Sequence, residues 1–176
     1  MSYTTYTEDF IENLYTHLGI FLPNQLDLKE ITFRLDIQLY YWKNPSQVLF
    51  YNDKAYIFLY ENLSKQQMWQ EFCHELCHAL WHSGSQKVMP YYWIQYQEWK
   101  ADNFMLHACV PTFMLKKLLL PSEINKAAQF ISEQFNVEPE LAYKRLQHYS
   151  DNHYEERYAL LEGGNHIGLR KEYRKK

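Results

Sequence analysis

His74-Glu75-Leu76-Cys77-His78 lies inside a stretch that carries the marks of one helix, Ser64 to about His82. Ser64 is a good N-cap, and Gln67 three residues on completes a capping box. Leu63 and Met68 stand where a hydrophobic staple sits. Met68, Phe72, Leu76, Ala79 and Leu80 recur at helical spacing and predict the buried face, and Gly84 supplies a stop. On such a helix His74 and His78 are one turn apart and project from one side. Two imidazoles so placed suit one tetrahedral zinc ion, with nitrogens roughly 2 Å from the metal. Glu75 lies about 100° round the helix, out of reach as a third ligand. It is placed to hold a zinc-bound water, whose pKa the metal lowers towards about 7, and to take its proton during attack on a carbonyl. The competing reading is a packed helix with two hydrogen-bonded histidines, and a third ligand decides between them.

The chain has 176 residues, 47% hydrophobic and 18% aromatic, with 16 Tyr and 5 Trp. That is enough for one globular domain with a real core. We take residues 1–150 as that domain and residues 151–176 as a polar, basic tail. A net charge of −3 speaks against a uniformly basic nucleic-acid-binding surface. Cys73, Cys77 and Cys109 are odd in number, so a disulfide framework is not expected and a reducing cytoplasm fits. Buried packing is the favoured role for Cys73 and Cys77 over metal ligation. Met1 to Phe10 lacks the pattern of a signal peptide, and no apolar run is long enough for a membrane span.

Residues 5–19 predict an amphipathic helix ending at Gly19, with Phe10, Ile11, Leu14 and Leu18 on one side. Leu26 to Ile31 reads as a short helix or turn. Three strand-rich runs follow, Ile37–Trp42, Val48–Tyr51 and Ala55–Tyr60, broken at Lys43–Ser46 and Asn52-Asp53. They predict a three-stranded, largely antiparallel sheet leading into the His74 helix. Pro90 opens a helix to Cys109, stopped by Val110-Pro111, and a short helix follows over about Thr112–Leu120. Ser122 caps a helix to Phe135, and Pro139 to Tyr149 completes a helical pair. The fold class expected is α+β, a small sheet followed by a helical half that carries the metal site.

Glu98 and Asp102 are one turn apart on the Pro90–Cys109 helix. A site with two histidines and a glutamate needs the glutamate from a second helix crossing the first, and Glu98 meets that need. It also gains from a carboxylate that accepts a hydrogen bond from the outer nitrogen of a ligating histidine, the role expected of Asp102. His82 is not taken as the third ligand, because Ala79-Leu80-Trp81 lacks the glycine that lets one segment turn back to the metal. A supporting role behind the ligands or at the helix end is expected of it. Tyr91, Tyr92 and His82 are candidate donors to the oxyanion by sequence proximity.

His74-Glu75-x-x-His78, then Glu98-x-x-Ala101-Asp102-x-Phe104, then an apolar stretch ending at Pro111, resembles the ImmA/IrrE family of metallopeptidases. The likeness covers roughly residues 30–150, including the strand Tyr56–Tyr60 and the segment Phe135 to Leu146. It implies a zincin-like fold and one zinc ion per chain, with His74, His78 and Glu98 as ligands and Glu75 as the catalytic glutamate. It also implies a protein substrate, a helix-turn-helix repressor of a phage or mobile element. Cys77 stands where many members have Gly, and Met105 where a small residue usually follows the Phe. Neither removes a catalytic group. The edge of the sheet, within Val48–Tyr60, could receive a substrate strand. The rival reading is a regulatory module that binds protein without cutting it, built on the helical pair 122–149. That pair sets Lys126, Lys144 and Arg145 against Glu123, Glu133, Glu138 and Glu140, which argues against DNA as its main ligand. A structural zinc site would be closed by four protein ligands, and three are evident.

Overall fold

The computed structural model describes residues 4–81 and 89–161, with side chains through Asp151. His82 and Gly84, and the basic run at the C-terminus, lie outside the described residues.

The first helix, α1 (Tyr6–His17), begins at a capping box. The Thr5 hydroxyl accepts from the Glu8 amide at 3.3 Å, and the Glu8 carboxylate accepts from the Thr5 amide at 2.8 Å. Ile11 and Tyr15 are buried on its inner face, with Phe10 and Leu14 packed alongside. The chain leaves through Gly19 at φ +67°, a conformation that costs a glycine nothing. Where a helix or turn is expected over Leu26–Ile31, Asp27 caps α2 (Leu28–Arg34) by accepting the Glu30 amide at 2.8 Å.

Strands β1 (Gln38–Trp42), β2 (Gln47–Tyr51) and β3 (Lys54–Tyr60) form one sheet in the order β1-β3-β2. The β2–β3 hairpin is antiparallel and turns through Asn52 and Asp53, both at positive φ. That is the two-residue turn whose twist matches the strands, and Asn and Asp tolerate its backbone. The other pairing corrects the expected arrangement: β1 lies parallel to β3, with Leu39 opposite Ile57. Burial explains the order. Ile57 and Leu59 of β3 are fully buried, whereas Leu49, Phe50 and Tyr51 of β2 are exposed. The most apolar strand takes the middle, and the short segment after β1 carries the chain past that position to the far edge.

From Glu61 the chain enters α3 (Lys65–Trp81) through the expected capping box, Ser64 and Gln67 exchanging two bonds of 3.1 Å. Phe72 and Leu76 are fully buried as predicted, and Met68, Ala79 and Leu80 are partly so. Trp69, Cys73 and Cys77 join them, because α3 is covered on two sides, by the sheet and by α4 (Tyr91–Cys109). All three cysteines are free thiols packed as apolar groups.

Beyond Val110, the helix α5 is a single turn, Thr112–Leu115, shorter than the sequence suggests. Next, α6 (Ile124–Phe135) starts after Glu123 rather than at a Ser122 cap, with no side-chain cap bond. Asn136, left-handed at φ 52°, ends it. Then α7 runs Pro139–Leu161, well past Tyr149, since no Gly or Pro occurs before Gly163 to stop it. The α6–α7 turn is bound to the start of α3: Gln66 donates to the Val137 carbonyl at 2.9 Å, and the Glu138 amide donates to Gln70 at 2.7 Å.

A polar clamp joins α1, α5 and α7 inside the core. Arg145 of α7 is fully buried; its Nη2 donates to Thr112 Oγ1 at 2.6 Å and its Nε to the Val110 carbonyl at 3.1 Å. Thr112 in turn donates to Glu8 at 2.6 Å. One arginine thus closes the end of α4 against the first and last helices.

Candidate metal centre

His74 and His78 stand on the same side of α3, and Glu98 reaches them from α4. His74 Nε2 is 3.1 Å from a Glu98 carboxylate oxygen and 3.2 Å from His78 Nε2, and His78 Nε2 is 3.5 Å from the other Glu98 oxygen. One ligand atom from each residue lies within 4.8 Å of the other two. Cys77 on α3 and Ala101 on α4 are small and fully buried, and the two helices pack on each other.

The other nitrogen of His74, Nδ1, faces Asp102 at 3.2 Å. With Nδ1–H donated to that carboxylate, Nε2 presents its lone pair to the cluster. Two imidazole nitrogens and a carboxylate then converge within 3.1–3.5 Å of one another. A divalent cation at their centre satisfies such a set, and two nitrogens with one carboxylate are donors that zinc accepts. The residues present therefore fit the metal.

Glu75 is buried and is not one of the three. Burial, with the charges of Glu71 and Glu98, pushes its carboxyl up to about 8. Glu71 is a neighbour that sequence reasoning missed, although it lies one turn before Glu75. Burial also pushes the Cys77 thiol up to about 12, Lys100 pulling the other way.

The two tyrosines are less closely engaged. Tyr91 shares the helix face of Glu98 two turns earlier, and its hydroxyl accepts from Gln95 at 2.9 Å. Tyr92 is turned to solvent. The Arg145 clamp also escaped sequence reasoning. Its signal was a lone arginine on the apolar face made by Leu141, Ala142 and Leu146.

A family model, Peptidase_M78, described as the IrrE N-terminal-like domain, matches residues 34–147. The Bacillus subtilis (strain 168) protein YqaB is 37% identical over 150 residues, covering 85% of this chain and 87% of its own. The phage-like element PBSX protein XkdA of the same organism is 37% identical over 144 residues, covering 82% of this chain and 73% of its own. A solved Mycobacterium tuberculosis transcriptional regulator superposes with a TM-score of 0.56 at 12% identity. That match takes in 80% of this chain and 46% of the regulator, and it speaks to fold alone. No helix among the described residues is long and apolar enough to cross a membrane.

Proposed function

The chain belongs to the Peptidase_M78 family, with the metallopeptidase-like fold of its IrrE N-terminal-like domain, and from that premise we propose that it is a zinc-dependent endopeptidase. The observation that carries the reading is the convergence of His74, His78 and Glu98, from two crossing helices, beside a buried glutamate that is not a ligand.

The two Nε2 atoms and the Glu98 carboxylate would hold the ion, leaving a coordination position open. When bound, zinc supplies Lewis acidity, acidifying a water and polarising a peptide carbonyl. Asp102 keeps His74 in the tautomer that offers Nε2. Glu75 takes the proton of the attacking water and passes it to the leaving amine. A carboxyl raised by burial and by Glu71 is a ready proton acceptor once it is ionised, as a cation held at the site would favour. Nothing in this machinery reads sequence, so specificity comes from docking of the substrate protein.

The substrate we propose is a helix-turn-helix repressor of a phage or mobile element. A relative named as a protein of a phage-like element supports that setting. Because β3 is central, β2 is the edge of the Val48–Tyr60 hairpin that can receive a substrate strand.

Metal content by elemental mass spectrometry tests the site, on the wild type beside His74→Ala and Glu75→Gln. About one zinc per chain is expected, lost in His74→Ala and kept in Glu75→Gln, together with cleavage of a co-expressed repressor that Glu75→Gln abolishes. Zinc-free wild-type protein after reconstitution overturns the metal site. Repressor inactivation that survives Glu75→Gln replaces the peptidase with a regulatory binding module.

A further inference from the structure

The sheet gives one face to the core and carries a second set of aromatic side chains on the other. Ile57 and Leu59 of β3 are fully buried where α3 packs on the sheet. Alternate residues stand on the opposite face, and the register sets them in rows, Tyr40 of β1 beside Phe58 of β3, and Tyr56 of β3 beside Leu49 of β2. Tyr40, Leu49 and Tyr51 are 46%, 43% and 68% exposed, and Trp42, Tyr56 and Phe58 are half-buried. The rings are ordered against one another. Tyr40 stacks on Tyr56 at 6.4 Å and on Phe58 at 5.3 Å, and Trp42 lies 4.9 Å from Phe58. The strand positions of this face carry a single charge, Lys54 at the start of β3, and its ammonium is 2.9 Å from the Asp36 carboxylate.

We infer that this face pairs with its own copy, in a two-fold dimer whose two sheets pack face to face. The inference goes beyond the peptidase reading and does not depend on it. Charge selects the occupant. A two-fold axis sets each group near it against the same group of the other copy, so an unpaired charge there would meet its like. Here the rows hold rings and a leucine, and their polar members are the amides of Gln38 and Gln47 and the tyrosine hydroxyls. Amides and hydroxyls both donate and accept, so each can bond to its own copy. Nucleic acid would also stack on such rings, but it needs cations along its backbone, and the one cation of this face is already paired in a chain of net charge −3. Area agrees. At about 150–250 Å² for each aromatic side chain, the exposed fractions leave roughly 500 Å² per copy, and a pair hides roughly 1,000 Å² in all, the lower bound for a specific interface. Rings already held by one another lose little freedom on pairing. The dimer is therefore specific and weak.

Sedimentation equilibrium of the full chain, from about 1 to about 500 µM, spans the affinity that such an area supports. The average mass should rise with concentration from one chain, 21.5 kDa, towards two. Tyr40→Lys sets a charge against its own copy and should weaken association at least about tenfold, with the circular dichroism spectrum unchanged. Tyr51→Lys, at the most exposed of these positions, should do the same without touching the core. Tyr96→Ser with Trp99→Ser, on the exposed side of α4, should leave the dimer intact. Zinc content should not change in any of these proteins, so a failure of the metal site leaves the test standing. The mass of a single chain at the highest concentration overturns the proposal. So does a dimer that both lysine variants leave unchanged, or one that only the α4 variant abolishes. A monomer that binds a labelled single-stranded oligonucleotide, and loses it in Tyr40→Ala, gives the rings to nucleic acid and overturns the dimer.

Discussion

Replacing Asp102 tests the metal centre through a residue that is not a ligand. Its carboxylate oxygen lies 3.2 Å from His74 Nδ1. Removing the outer partner of a ligating histidine costs about 10–100-fold in metal affinity. The Asp102 side chain is 57% exposed, so water can replace it in part, and the effect belongs at the low end. We expect Asp102→Ala to weaken zinc binding about tenfold, equivalent to about 1.4 kcal/mol. Asp102→Asn keeps an acceptor oxygen and loses the charge. Since a charge-assisted bond is roughly twice as strong as a neutral one, about half the free energy remains, and the loss is about threefold. The assay is competition for zinc against a chromophoric chelator at pH 7.5, with the His74 tautomer read by nitrogen NMR of the zinc-loaded protein. Zinc affinity of Asp102→Ala within twofold of the wild type would refute the reasoning, as would an Asn variant weaker than the Ala variant.

Thr112→Val keeps the shape of the side chain and deletes both 2.6 Å bonds of the buried clamp, leaving Glu8 and Arg145 each short of a partner. At about 1.5–3 kcal/mol for each charged bond, urea denaturation should show a loss of about 3–5 kcal/mol, and a loss below about 1 would refute the clamp. Acid should destabilise the fold through the same region. His107 is buried with no hydrogen-bond partner at either ring nitrogen among the described residues, and burial followed by the charge of Arg145 lowers its pKa to about 3. The unfolded chain takes up that proton below about pH 6.5 and the native state does not, so stability falls as the pH drops from 6.5 towards 3. Glu8 adds to this at lower pH. Burial alone would raise its pKa, but hydrogen bonds from Thr112 and the Thr5 backbone hold it below the usual value, and its contribution is lost as it protonates. Melting temperatures across pH 4–8 should show the slope, His107→Leu should flatten its upper part, and an unchanged slope in that variant would refute the assignment. A proline placed in β2 at a position whose N–H faces away from β3 should slow repressor cleavage and leave zinc content unchanged; an unaltered rate would exclude strand addition at that edge.

The α3 site was legible in the sequence because it is local. Helical geometry alone puts His74 and His78 on one side and turns Glu75 away, and it places Asp102 one turn from Glu98 on α4. The caps at Ser64 and the stop at Pro111 were legible for the same reason, each being a backbone requirement met within a few residues. Matters of pairing were not. Alternating strand residues do not say which neighbour a strand takes, so the parallel β1–β3 pairing and the central place of β3 emerged only when Ile57 and Leu59 were buried. The length of α7 was missed because a polar sequence without breakers continues a helix that hydrophobic periodicity does not announce. By itself the sequence determined the candidate ligand types, their order, and the helices that bear them. Only the tertiary structure decided that Glu98 meets both imidazoles, that Asp102 comes within 3.2 Å of His74 Nδ1, and that Arg145 closes on Thr112, which in turn holds Glu8. Those contacts join residues 20 or more positions apart, and their distances follow from how whole helices pack rather than from any local preference.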